Sequence, residues 1–219
     1  MTDNSNEHAG DTQRLALDTA QFTADREQRH AEFCDEFEQM VTNLDVIEDH
    51  RCFHLQGGLG RGRQGVVVAA EYEGYLGCST RHALKFFDPA LFSTSDSYHA
   101  EMVRLARQIS ALQQLYHPNL VGCEAFTSYD DVGVLVMELV DGLNIRKVLD
   151  QTAHNTLKDQ VITEEWEHFN SIVFSDKSTG LQPGLAFYIL RKILRGLDVL
   201  HRIGYVHGDI KPSNVMVDR

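Results

Sequence analysis

Tyr205-Val206-His207-Gly208-Asp209-Ile210-Lys211-Pro212-Ser213-Asn214-Val215 is the stretch on which the reading of this chain turns. Asp209, Lys211 and Asn214 crowd into one short segment, with the Asp and the Asn five residues apart. By itself the stretch reads as a polar turn after a helix. That helix is expected over Leu185–Ile203, where Ala186, Ile189, Leu190, Ile193, Leu194, Leu197 and Leu200 cover well over half the circumference. A helix so apolar expects burial on most sides. Before it, residues 151–181 are polar and irregular, with the single Trp166 set among acids, and read as an insertion or long loop.

Further back, residues 51–140 have the texture of an antiparallel sheet with one helix inserted. Phe53–Gln56 alternates, a glycine cluster follows, and Val66–Ala70 is apolar, which reads as strand, tight turn, strand. The cluster is Leu59-Gly60-Arg61-Gly62-Arg63-Gln64-Gly65. In a dinucleotide-binding fold a helix should open at the last glycine. Here Val66, Val67 and Val68 follow, and β-branched residues favour a strand. Taken alone, the cluster is also compatible with a plain hairpin turn. His82–Phe87 is a third strand and contains Ala83-Leu84-Lys85. A Lys between apolar neighbours either contacts a phosphate or keeps a sheet edge soluble. A helix is expected over Ser97–Leu115, with Val103, Ala106, Ile109 and Leu112 on one side, stopped by His117-Pro118. Strands are expected over Leu120–Ala125 and Val132–Leu139.

Composition narrows the class. The chain has 219 residues, 42% hydrophobic and 24% charged, as in an ordinary globular protein with a real core. The net charge is −12, but residues 1–50 hold 13 acids against 3 Arg, whereas residues 51–219 are nearly balanced. Nucleic-acid binding through a basic face is therefore not expected. The apolar runs, such as Val132–Met137, are far too short for a membrane span, and the N-terminus has neither the basic nor the apolar part of a signal peptide. Cys34, Cys52, Cys78 and Cys123 have no CxxC spacing, so reduced thiols and a cytoplasmic location are expected. Residues 1–12 read as a polar, disordered start. From about Ala31, the residues Phe33, Phe37, Met40, Val41 and Leu44 form one stripe of an amphipathic helix.

The 205–215 loop resembles the catalytic loop of protein kinases, and the glycine cluster and Ala83-Leu84-Lys85 precede it in that family's order. Over residues 51–219 the chain looks like a eukaryotic-type serine/threonine protein kinase of the bacterial kind. The resemblance implies an α+β, bilobal kinase-like fold. Its parts are an acidic, partly helical extension (1–50), an N-lobe and hinge (51–140) and a partial C-lobe (141–219). It implies ATP and Mg²⁺ as cofactors and a protein as substrate. Asp209 would be the base, Lys211 would neutralise the transferred phosphoryl group, Asn214 would bind Mg²⁺, and Lys85 would contact phosphate. Leu59, Gly60, Gly62 and Gly65 would close over the nucleotide. Val67 and Ala83 would cover the adenine from above and Met216 from below. Met137 would be the gatekeeper, and backbone groups of Glu138 and Val140 would bind the adenine edge.

Three departures from the family pattern stand out. Gln108 occupies the place of the helix glutamate that pairs with the strand lysine, while Glu101 lies two turns earlier. Gly208 replaces the Arg that in the family reads a phosphate on the activation loop, so control of that kind is not expected. The D-F-G segment would follow about eight residues beyond Arg219, so the expectation is a kinase fragment or truncated product, with little activity alone and a missing C-terminal part as its partner. Two other classes stay open. One is a non-catalytic nucleotide-binding module, favoured by Gln108. The other is a small-molecule phosphotransferase of the same fold, favoured by Gly208 and disfavoured by Lys211-Pro212.

Overall fold

A computed structural model describes residues 6–43, 45–48, 51–150, 171, 173–174 and 180–218, with side chains from residue 23 onward. The expected insertion at 151–181, Trp166 included, lies almost wholly outside the described residues. The chain divides into two compact units: Met1–Gln114 with Cys123–Leu139, and Leu115–Gly122 with Val140–Arg219.

The first unit is built on a sheet. Helix α1 (Asn6–Asn43) leads into β1 (Val46–Glu48), β2 (Cys52–Gly62), β3 (Gly65–Glu73) and β4 (Ser79–Phe87). Helix α2 (Ser95–Leu112) follows, then β5 (Cys123–Tyr129) and β6 (Val132–Glu138). The six strands run in the order β1-β2-β3-β4-β6-β5, and every pairing is antiparallel. An antiparallel sheet with a helix inserted after its fourth strand is the arrangement expected for the N-lobe from the sequence resemblance.

Side chains alternate across a strand, and here the two faces have separate uses. Val66, Val68 and Ala70 of β3 share a face with Leu84 and Phe86 of β4 and with Val134 and Val136 of β6, and all are buried. α1 covers that face with Phe37, which is 1% exposed, flanked by Phe33, Met40 and Val41. Burying a phenylalanine this fully contributes about 1.5–3 kcal/mol. The amphipathic stripe expected from Ala31 is thus the stripe that docks. The disordered start expected for residues 1–12 is corrected, because α1 begins at Asn6. Ala9, Leu15, Leu17 and Ala20, with no proline from residue 6 to 43, favour helix propagation through the polar start. β1 had no sequence expectation; three residues are too few to show a period.

α2 is rotated from the face expected for it. Tyr98, Met102 and Ile109 are buried while Val103 is exposed. The helix starts two residues early because Thr94 and Ser97 form a capping box. Tyr98 holds the helix down. Its hydroxyl donates to the Phe87 carbonyl at 3.2 Å and accepts from the Gly133 amide at 2.8 Å, so one buried side chain joins α2, β4 and β6. Phe33 and Phe92 meet its ring edge-on at 5.4 Å. Burial raises the Tyr98 hydroxyl pKa and keeps it a neutral donor.

In the second unit, β7 (Gly142–Asn144), the single turn α3 (Ile145–Val148), α4 (Pro183–Arg202) and β8 (Met216–Asp218) frame the catalytic-loop stretch. α4 presents one face to the His117–Leu120 segment. A Cβ on buried Gly196 would come 2.8 Å from the Asn119 carbonyl oxygen. Residues 117–120 form a turn, with the Leu120 amide on the His117 carbonyl, so the strand expected over Leu120–Ala125 begins later, at Cys123, and runs to Tyr129. Its other face, with Phe187, Leu190 and Leu194, is exposed, short of the near-complete burial expected for it. Among the described residues no helix is long and apolar enough to cross a membrane.

Tyr98→Phe is expected to destabilise the chain by roughly 1–3 kcal/mol, because the buried Gly133 amide loses its acceptor. Urea denaturation measures this; an unchanged midpoint would show that the hydroxyl does not hold α2.

Candidate functional site

In the first unit the sheet face opposite α1 carries the candidate nucleotide residues. Register puts Val67 opposite Lys85, Lys85 opposite Leu135 and Ala83 opposite Met137, so these side chains share that face. Val67, Leu135 and Met137 are half-buried, in contrast to their fully buried neighbours Val66, Val134 and Val136. Glu138 ends β6.

The glycine cluster is strand rather than loop for most of its length. β2 runs to Gly62, the turn is Arg63-Gln64, and Leu59 bulges where the register slips between Gly58 and Gly60. The glycines do different jobs. Gly65 has φ +141°, and a Cβ there would lie 1.8 Å from the Phe86 carbonyl oxygen. It is required by the close approach of β4 and by its backbone angle. Gly60 and Gly62 have no neighbouring atom within 4 Å of a would-be Cβ. That bare backbone fits close approach of a ligand phosphate, which a side chain would obstruct.

Lys85 is half-buried, and its ammonium donates to Gln64 Oε1 at 2.7 Å and lies 4.9 Å from the Phe87 ring centre. The sequence pointed to Gln108 or Glu101 for this role. Glu101 is engaged instead by Arg104, whose Nε donates to it at 2.7 Å, and that guanidinium lowers its pKa. Gln64 was missed. The signal lay in the two-residue turn: with Gly65 beside Phe87, the turn must sit over the end of β4.

In the second unit α4 ends in a Schellman motif. The Tyr205 amide returns to the Leu200 carbonyl and the Gly204 amide to the His201 carbonyl, with Gly204 at φ +82°. That stop throws the chain into the 205–215 loop. Asp209 is gripped from two sides. Lys211 Nζ lies 2.8 Å from Asp209 Oδ2, and Asn214 Nδ2 donates to both Asp209 Oδ2 and its carbonyl oxygen at 2.9 Å. The Lys211 hydrogen bond, with help from Asn214, holds the Asp209 carboxyl below the ordinary carboxylate range. With its amide nitrogen committed to Asp209, Asn214 has its amide oxygen to offer a hard cation, a fitting donor for Mg²⁺. Gly208 sits at φ +73°, a left-handed backbone conformation that glycine adopts without strain. β7–β8 pairing, with Asn144 opposite Met216, and the Ile145 amide on the Val215 carbonyl fix the far side of the loop. Met216 is exposed.

A family model described as protein kinase domain matches residues 53–219. The chain belongs to the protein kinase family. Among its relatives is the probable serine/threonine-protein kinase PknB of Lactococcus lactis, 28% identical over 116 residues, covering 53% of this chain and 14% of PknB. The serine/threonine-protein kinase PknH of Mycobacterium tuberculosis is 27% identical over 173 residues, 76% of this chain and 21% of PknH. This kinase domain thus spans well under a quarter of either relative. The fold is shared with the PknI kinase domain of Mycobacterium tuberculosis, with a TM-score of 0.51 and 20% identity, over 76% of this chain and 54% of that one.

Gly65→Ala is expected to cost roughly 1–3 kcal/mol of stability from backbone strain, whereas Gly60→Ala leaves the urea midpoint within about 1 kcal/mol of wild type. Equal midpoints would remove the distinction between the two glycines. Lys211→Met takes away the largest cause of the low Asp209 pKa, so an NMR titration of that carboxyl should move up toward the ordinary carboxylate value. An unmoved titration would show that Lys211 does not set it.

Proposed function

We propose that this kinase domain serves transfer of the γ-phosphoryl group of Mg²⁺-bound ATP to serine or threonine hydroxyls of protein substrates. The observation that carries this is the Asp209–Lys211–Asn214 cluster, held at 2.8–2.9 Å within one loop. Asp209, kept anionic, accepts the hydrogen bond of the acceptor hydroxyl, orients it and takes its proton. Lys211 sets a positive charge beside it, where negative charge develops on the transferring group. Asn214 would hold Mg²⁺ through its amide oxygen; the cation, when bound, neutralises phosphate charge.

The first unit supplies the nucleotide side of the reading. Gly60 and Gly62 would let phosphates approach the backbone, with Leu59 and Gly65 shaping the hairpin. Lys85 would exchange the side-chain amide oxygen of Gln64 for phosphate oxygens. Val67, Ala83 and Met137 offer an apolar surface for a flat base, and backbone groups of Glu138 would meet its edge. Serine or threonine specificity is supported by Lys211 two residues after Asp209 and by the names of the bacterial relatives. A cytoplasmic location, where ATP is available, suits this reading. A second reading, nucleotide binding without transfer, is favoured by one observation: the Lys85 ammonium donates to the neutral side chain of Gln64.

Turnover of radiolabelled ATP in the full-length protein, measured beside nucleotide affinity, separates the readings. Lys85→Met should abolish transfer. Asp209→Asn should keep nucleotide binding nearly intact while transfer falls at least about a hundredfold. Equal transfer in wild type and Asp209→Asn overturns the proposal, and binding without transfer in wild type selects the second reading.

A further inference from the structure

We propose that Glu38 of α1 is a positioning residue for the glycine hairpin, acting through Arg61. The inference rests on the nucleotide reading of that hairpin. Arg61 stands between Gly60 and Gly62 and pairs with Val66, so its side chain leaves the sheet on the core face, away from Val67 and Lys85. It points to α1 instead of to a nucleotide. There its guanidinium grips Glu38 with two nitrogens, Nη1 donating to Oε2 at 2.9 Å and Nη2 to Oε1. Nη2 also lies 3.7 Å from Oδ2 of Asp88, the residue after β4, whose amide bonds the Gln64 carbonyl at 3.2 Å. One guanidinium therefore ties together the helix, the hairpin and the end of the lysine strand. The pair also acts on its own protonation: Arg61 lowers the Glu38 pKa and Glu38 raises that of Arg61.

The helix that carries Glu38 is anchored independently. Phe37, its neighbour in sequence, is in the core. One end of the described stretch is latched to α2 by the Arg26–Asp96 ion pair, and to the segment just before α2 by His30, whose Nε2 donates to the Phe92 carbonyl at 2.7 Å. Glu38 is thus a fixed post. The hairpin is not, because Gly57, Gly58, Gly60 and Gly62 leave its backbone many conformations. A bidentate arginine–carboxylate pair has directional geometry that a lone charge contact lacks. Holding Arg61 removes conformations that the hairpin would otherwise lose on closing over a phosphate, so the bound form is pre-organised.

The pair is half-exposed, so its effect is modest and sensitive to salt. The test uses Glu38→Arg, Arg61→Glu and the exchanged pair E38R/R61E in the full chain. Two quantities are read: the Kd of a fluorescent ATP analogue with Mg²⁺, and amide hydrogen exchange of residues 57–64 without nucleotide. Each single variant should weaken the analogue about three- to fivefold and speed exchange in the hairpin, with the melting temperature nearly unchanged. The exchanged pair should return both to within about twofold of wild type, a rescue that loss of packing would not give. Unchanged single variants, or an exchanged pair no better than either single, overturn the proposal. Wild type without saturable analogue binding overturns the nucleotide reading, and the exchange rates still decide whether the clamp exists.

Discussion

Side chains on a strand leave alternately on opposite faces, and the first unit depends on that constraint. β3, β4 and β6 are apolar on both faces, so an uncovered sheet of this composition would expose a broad apolar surface. α1 and β1 close one face with Phe37 and Ile47, which join its core cluster. The other face is left with half-buried Val67, Leu135 and Met137 beside Lys85. The acidic N-terminal helix closes one face and leaves the other less covered.

The same logic separates structural from functional glycines. A motif written as three equivalent glycines contains one that the fold requires and two that it leaves bare. Gly65 answers to the Phe86 carbonyl, a contact internal to the sheet. Gly60 and Gly62 answer to nothing within 4 Å, so their lack of side chains has meaning only toward a ligand or toward hairpin motion. Arg61 between them shows how such a hairpin can be mobile in principle and still be held from behind.

The 205–215 loop is held together by short-range electrostatics. Lys211 and Asn214 both turn toward Asp209, and the result is a carboxylate that stays charged and keeps its orientation. Gly208, just before Asp209, adopts a backbone angle suited to glycine.

Near neighbours in the chain made much of this legible in advance. The Asp209–Asn214 spacing, the apolar runs of β3 and β6, the amphipathic stripe of α1 and the end of α4 are local patterns, legible from neighbours in the chain. The partner of Lys85, the grip of Glu38 on Arg61 and the unequal roles of the glycines were not legible. They join residues 21 and 23 positions apart, or a glycine to a carbonyl on the next strand. Such pairs depend on register and on how a helix lies across a sheet. Charge and residue type leave many pairings open, and only packing in three dimensions selects among them.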